Sequence, residues 1–296
     1  MMKKYFIVLL SIISVSIIWA AESNDIKNET DLSFMIASNI QMQFEIEHRI
    51  RFPFLLGTSF LTEDNNITAK FGLELTPMTF NFLASAVWMP LPLLNISLGS
   101  EIGSGWNFDP GGFPMKGMGL YQRDDNKAPS EWALGNGLDG IVWKTHGGTT
   151  LLFDLAVFVP GNWNHLIFKI DNSLQYQNYT GANGTEAWYF KGDIYQNWLS
   201  YYFSGFIGYQ MPVFLHMTGF MFEMDKPFYN PQNVTALNYE TKMLCTFLFD
   251  YKIGNYISIL ALIEISNHLT HPVTSDFNRE WEFSCVRLIT TWHIKH

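Results

Sequence analysis

Between Ile40 and Phe52 the chain alternates with a period of two. The even positions read Ile40, Met42, Phe44, Ile46, His48, Ile50 and Phe52. The odd positions read Gln41, Gln43, Glu45, Glu47, Arg49 and Arg51. A β-strand sends successive side chains to opposite faces, so this segment carries one apolar and one polar face. At the helical period the same residues would scatter around the whole circumference. The pattern returns where Ile67, Ala69, Phe71, Leu73 and Leu75 alternate with Thr68, Lys70, Gly72, Glu74 and Thr76. It returns again where Leu166, Phe168 and Ile170 alternate with Ile167, Lys169 and Asp171, the polar set continuing through Ser173, Gln175 and Gln177. In 236–251, Leu237, Tyr239, Thr241, Met243, Cys245, Phe247, Phe249 and Tyr251 share one parity, and Ala236, Asn238, Glu240, Lys242, Leu244, Thr246, Leu248 and Asp250 the other. Near the end, Trp281, Phe283 and Cys285 oppose Glu280, Glu282 and Ser284. Weaker alternation marks 78–88, 93–102, 139–145, 149–159, 196–209, 211–223 and 255–266. The reading is all-β, with about twelve strands and a range of ten to fourteen.

One apolar face per strand fits both a soluble two-sheet sandwich and a barrel in lipid. Ordinary strands average about 5 to 6 residues, whereas transmembrane strands run about 9 to 11 with extensions beyond the bilayer. The longest alternating runs here match the second class. Tyr239 and Tyr251 near the two ends of one apolar face suit the borders of an outward apolar band. Composition points the same way. Hydrophobic residues make up 48% and charged residues only 15%, against about 25% charged in typical globular domains. Beyond the N-terminus no long uninterrupted apolar run offers a spanning helix. The nearest, 78–98, contains Asn81, Pro90, Pro92 and Asn95, and prolines so close would break a helix. A barrel whose outer face meets lipid is one way for so apolar a chain to hide its surface from water.

The first residues have the layout of a secretory signal peptide. Lys3 and Lys4 precede an uncharged stretch from Tyr5 to Trp19, then Ala20 and Ala21. The expectation is a cleaved signal peptide at 1–20, with cleavage after Ala20 or Ala21, and a single barrel domain over 21–296.

With these features the chain resembles the bacterial outer-membrane β-barrel proteins as a class, porin-like in pattern rather than by a specific motif, over most of 36–296. The resemblance implies a closed antiparallel transmembrane barrel, an up-and-down meander, in the outer membrane with lipid around it. Barrels of that class usually finish on an aromatic residue, whereas this chain ends Trp292-His293-Ile294-Lys295-His296. Either the last strand stops at Trp292 or the assembly signal differs. If the N-terminus starts in the periplasm, the strand count puts 103–138 on the periplasmic side. Long loops of such barrels are usually extracellular, so either a strand is miscounted near 78–102 or this segment is special.

The polar parities predict a lumen wall of Gln41, Gln43, Glu45, Glu47, Arg49, Arg51, Lys70, Glu74, Lys169, Asp171, Glu240 and Lys242. Twelve of the 22 glycines fall between Gly99 and Gly148, which frees the backbone there to pack closely. Two readings of 103–138 stand side by side. It is a surface loop, or it folds into the mouth and narrows it through Trp106, Asp109, Gly111, Gly112, Arg123 and Asp124. The functional expectation is passive passage of small polar solutes. The alternatives are a non-conducting structural or adhesive barrel and a carrier of hydrophobic solutes. Partners are outer-membrane lipid and small solutes. A net charge of −9 without a basic cluster speaks against nucleic acid.

No catalytic role or cofactor is expected. Ser266-Asn267-His268 reverses the His-x-Ser-Asn order of outer-membrane lipid-cleaving enzymes. His268 and His271 fit a plain loop as well as a metal site. Cys245 and Cys285 fall on the apolar parity of two strands. One intervening strand would hold them roughly 10 Å apart, beyond disulfide reach, so both are expected as free thiols facing lipid.

Overall fold

The structure, a computed structural model, describes residues 26–59, 62–108, 115–121, 133–134, 138, 140–184, 186–191, 193–228, 241–267 and 281–295. The expected signal peptide at 1–20 lies outside them. The wall consists of β1 (Lys27–Ala37), β2 (Met42–Pro53), β3 (Asn66–Leu75), β4 (Thr79–Leu91), β5 (Leu94–Gly105) and β6 (Val142–Asp154). It continues through β7 (His165–Tyr179), β8 (Trp198–Gln210), β9 (Leu215–Pro227), β10 (Lys242–Ile253), β11 (Ile257–Ser266) and β12 (Glu282–Lys295). Every strand pairs antiparallel with its chain neighbours, and β1 pairs with β12 to close a twelve-stranded meander. No helix is long and apolar enough to cross a membrane among the described residues.

The partition of side chains is the inverse of a soluble protein's. Phe82 and Leu98 point outward and expose 54% and 55% of their surface, whereas inward-facing Asn81 and Thr246 expose 0%. Tryptophans and tyrosines of the outer face stand toward its two rims, while phenylalanines such as Phe82, Phe220 and Phe247 also fill its middle. Phe80 stacks with Trp106 and Trp143 meets Tyr176 edge-on near one rim. Near the other, Phe54 meets Trp88, Phe153 meets Phe158 and Phe214 meets Tyr251. Along β4, Phe80 and Trp88 are separated by roughly 20 Å of barrel axis, at about 3.4 Å per residue and about 40° tilt. That is close to the height of the outward apolar band of transmembrane barrels, about 25 Å.

Twelve strands agrees with the expected number, but through two compensating errors. β1 was not among the expected strands. The segments 139–145 and 149–159 are one strand, β6, running straight through Gly147 and Gly148. Restoring β1 also resolves the misplaced loop. The long connections 106–141, 180–197, 228–241 and 267–281 all leave the end opposite the chain termini, here the loop end. The short connections 92–93, 211–214 and 254–256, with 54–65 and 155–164, lie at the terminus end. β12 does not stop at Trp292 but continues to Lys295, paired with Glu29 of β1. Pro90 sits within β4 where the β4–β5 pairing shifts between Trp88 and Leu91. Its missing N–H therefore falls where the ladder is already interrupted.

Both cysteines are free, but only Cys245 lies on the outward parity, beside Phe222 and Ile265. Cys285 points inward. A bulge between Glu264 and Ile265 in the β11–β12 pairing flips the parity of β12 at that point. Cys285 is fully buried and its Sγ donates to Glu264 Oε2 at 3.3 Å.

Candidate functional site

The lumen is built from the inward rows. Glu45, Glu47, Arg49 and Arg51 of β2 face inward beside Lys70 and Glu74 of β3. Further round, Glu101 of β5 opposes Lys144 of β6. Lys169 and Asp171 of β7 pair with each other at 2.8 Å, and Thr150 Oγ1 donates to Asp171 at 2.5 Å. Across the barrel, Tyr202 donates to Glu223, and Arg287 meets Glu264 at 3.1 Å. These rows are not uniformly polar. Phe206, Met221, Leu248 and Leu262 share the inward parity of β8 to β11 with Ser204, Glu223, Thr246 and Glu264. The Phe206 ring fits there because Gly208 and Gly219 lie beneath it. A Cβ at Gly219 would come within 2.5 Å of the ring.

At the loop end, 118–121, 133–134, 187–190 and 193–196 form a separate four-stranded sheet. The strands 187–190 and 193–196 form a hairpin that supplies one half of it, with 193–196 at the edge. Trp188 and Phe190 are fully buried, and with Met118, Val142, Tyr179 and Ala182 they form an apolar cluster. The Trp188 ring lies 4.9 Å from that of Tyr195 and 5.8 Å from that of Tyr179. Val142 and Tyr179 belong to the barrel wall, so the hairpin is anchored on β6 and β7 by hydrophobic burial.

The tip of the hairpin reaches the inner wall at β3 and β5. Lys191 occupies a left-handed backbone conformation (φ 54). Its Nζ bonds Glu74 at 2.6 Å and Glu101 at 2.9 Å. Glu74 also accepts from Asn81 Nδ2 at 3.0 Å. Glu45 stands directly opposite Glu74 in the β2–β3 register, so Lys191 brings a cation to an acidic corner that the wall alone would leave repelling. The Tyr195 ring receives Lys144 Nζ at 4.1 Å and Lys242 Nζ at 4.9 Å. Those lysines stand on β6 and β10, so Tyr195 bridges two separate stretches of wall through cation–π contacts.

Below the hairpin lie two cavities that share Lys70. One of about 270 Å³ is lined by Glu45, Glu47, Glu101, Lys144 and His146. The other, about 320 Å³ and nearer the terminus end, is lined by Lys27, Glu29, Arg49, Arg51 and Asn66. Arg49 is bound up in the wall. It pairs with Asp31 and with Glu47 at 2.7 Å, and Asp31 also receives His293 Nδ1 at 2.8 Å.

The structure places Gln43, Glu45, Glu47, Arg49, Arg51, Lys70, Glu74, Lys169, Asp171 and Lys242 on the inward parity. Gln41 falls in the turn between β1 and β2, where its carbonyl accepts from the Ala37 N–H. Glu240, Asp109, Gly111, Gly112, Arg123, Asp124, His268 and His271 lie outside the described residues. Trp106 does not narrow the lumen. It stacks on Phe80, an outward residue of β4, with ring centroids 6.5 Å apart. The groups that cross the mouth are Lys191 and Tyr195, which sequence reasoning missed. A signal existed: Trp188, Tyr189 and Phe190 precede Lys191-Gly192, and Ile194 and Tyr195 follow, which is a short hairpin pattern.

No family model and no curated protein sequence matches the chain. Among solved structures it is similar to the KdgM porin, at 8% identity and a TM-score of 0.37 over 89% of this chain and 98% of that one. It is similar to CdiB from Acinetobacter baumannii at 10% identity and a TM-score of 0.41, over 92% of this chain and 60% of that longer one. It is also similar to OmpT, an outer membrane protein of Vibrio cholerae, at 6% identity and a TM-score of 0.36, over 92% and 97%. The likeness is to bacterial outer-membrane barrels as a class.

Proposed function

We propose that this protein is exported to a bacterial outer membrane, where it forms a narrow channel for small polar solutes with its mouth narrowed by the hairpin 187–196. The reading rests on the inverted partition of side chains. An outward apolar band with aromatic rims suits hydrocarbon and its borders, while charged, cavity-bearing inner rows suit water and polar solutes. Barrel size supports a narrow passage. About 8 strands leave room only for side chains and 16 to 18 give a wide aqueous pore, so twelve lie between.

Reconstitution into planar bilayers tests it. The full mature protein is expected to give small, reproducible current steps, and deletion of 187–196 to enlarge them. Silence from both proteins, each shown to be folded, would sink the channel reading. A second reading, a non-conducting structural or adhesive barrel, draws support from the same hairpin, because a mouth-spanning sheet with its own buried core resembles a plug. Silence from the intact protein and steps from the deletion would favour it. The charged wall speaks against a carrier of hydrophobic solutes.

A further inference from the structure

The cavity at the terminus end has a charge pattern that wall stability does not require. Its lining holds four cations, Lys27, Arg49, Arg51 and Lys70, and one carboxylate, Glu29. Register places Lys27 directly opposite Arg51, and Arg49 directly opposite Lys70. Like charges directly opposite across two strands destabilise a sheet. In a chain of net charge −9, composition does not supply an excess of cations by default. Arg49 is neutralised by Asp31 and Glu47. Among the described residues, Lys27, Arg51 and Lys70 have no carboxylate within ion-pair distance. The remainder of the cavity is mixed: Asn66, Thr68 and Asn95 are polar, Val87 and Met89 apolar.

We propose that this cavity is a binding site for a small organic anion carrying two or three carboxylate groups. The cations form two nodes, Lys27 with Arg51 and, on the diagonal about 7 to 8 Å away, Lys70. The Arg51 guanidinium presents a planar fork that matches a carboxylate, and the lysines act as point charges beside it. Val87 and Met89 take the carbon skeleton between the charged ends, and Asn66, Thr68 and Asn95 offer hydrogen bonds to hydroxyl or carbonyl groups. The volume, about 320 Å³, is at the lower end of small-molecule pockets, about 300 to 1,000 Å³. The inference names a substrate class for the channel proposed above, and the site can bind whether or not the lumen conducts.

Titration calorimetry on the mature protein folded in detergent tests the site, with citrate as probe and inorganic phosphate and a neutral sugar as comparisons. Citrate is expected to bind and the sugar not to bind. The double variant Arg51→Gln with Lys70→Gln is expected to weaken citrate about tenfold or more, in line with loss of charge-assisted bonds. Its barrel should remain folded, since two like-charge contacts, Lys27 with Arg51 and Arg49 with Lys70, are removed. Glu29→Gln removes the one carboxylate of the cavity and is expected to tighten citrate, which decides the matter should the double variant misfold. Absence of citrate binding, or unchanged affinity in these variants, overturns the proposal. Phosphate binding as tightly as citrate overturns the assignment to an organic anion. Bilayer recordings separate this inference from the channel: citrate binding lost in the variant with silent bilayers leaves the site standing and the channel fallen. Current steps from a protein that ignores citrate give the reverse.

Discussion

The two ends of the lumen are held by different forces. At the loop end, Trp188 and Phe190 sink into an apolar cluster on β6 and β7, and a single lysine ties the hairpin tip to Glu74 and Glu101. At the terminus end the connections are mostly short, the aromatic side chains of Phe158 and Phe214 stand in the open, 70% and 59% exposed, and the lumen wall carries charge. The loop end thus behaves as a small folded unit resting on the barrel, with a stability of its own. The terminus end is part of the barrel wall and yields only when the wall does. If the lumen conducts as proposed, closure and charge selection are separable, and substitutions at the two ends should act on different observables.

The largest effect is expected from Trp188→Ala. Removing a fully buried tryptophan costs about 3 to 5 kcal/mol, here borne by the loop-end sheet. The barrel should keep its heat-modifiable migration on gels while single-channel current rises to that of the hairpin deletion. An unchanged current would mean that the hairpin does not control the mouth. Next comes Lys191→Met, which strips the cation from Glu74 and Glu101 and costs about 2 kcal/mol, the scale of hydrogen bonds to charged groups. The fraction of time spent in the larger-current state should rise about 30-fold. Restoring the balance with Glu74→Gln and Glu101→Gln should return it toward the parent value. At the other end, Arg49→Met leaves Asp31 and Glu47 without their cation, but the site is partly exposed, so the loss is about 1 kcal/mol. Urea unfolding should show it, with dwell times unaltered. Altered dwell times would show that the two ends are coupled after all. The smallest effect belongs to Phe214→Ala, which removes a ring contact with Tyr251 at 5.4 Å, worth about 0.5 to 1 kcal/mol. Its readout is unfolding in lipid, again without a change in current.

The contrast between the ends also explains what the sequence revealed. Alternation is a local property, so β2, β3 and β7 were visible wherever one face was to be apolar. The mixed charges on Glu45, Glu47, Arg49 and Arg51 were visible for the same reason. β1 was hidden because its alternation is apolar only at Leu32, Phe34 and Ile36, while Asn28 and Thr30 continue the same parity with polar side chains. β6 was cut in two because Gly147-Gly148 resembles a turn, yet the ladder with β5 and β7 carries the backbone straight through. The parity of Cys285 depended on a bulge in pairing with β11, which belongs to two strands at once. Lys191 was the hardest case. Its partner Glu101 lies 90 residues away, and only the folded mouth brings them together.

The seam between β1 and β12 has a consequence for how the molecule comes into being. Ser33 and Thr291 meet at 3.0 Å across a separation of 258 residues, so the first strand must wait for the last before its free edge is covered. Until then a row of backbone donors and acceptors stays open to any passing strand, and contacts so distant in sequence form late. A nascent copy therefore needs shelter for that edge until the last strand docks against the first. Truncation of the final strand should convert the protein from a closed barrel into material that pairs with its neighbours.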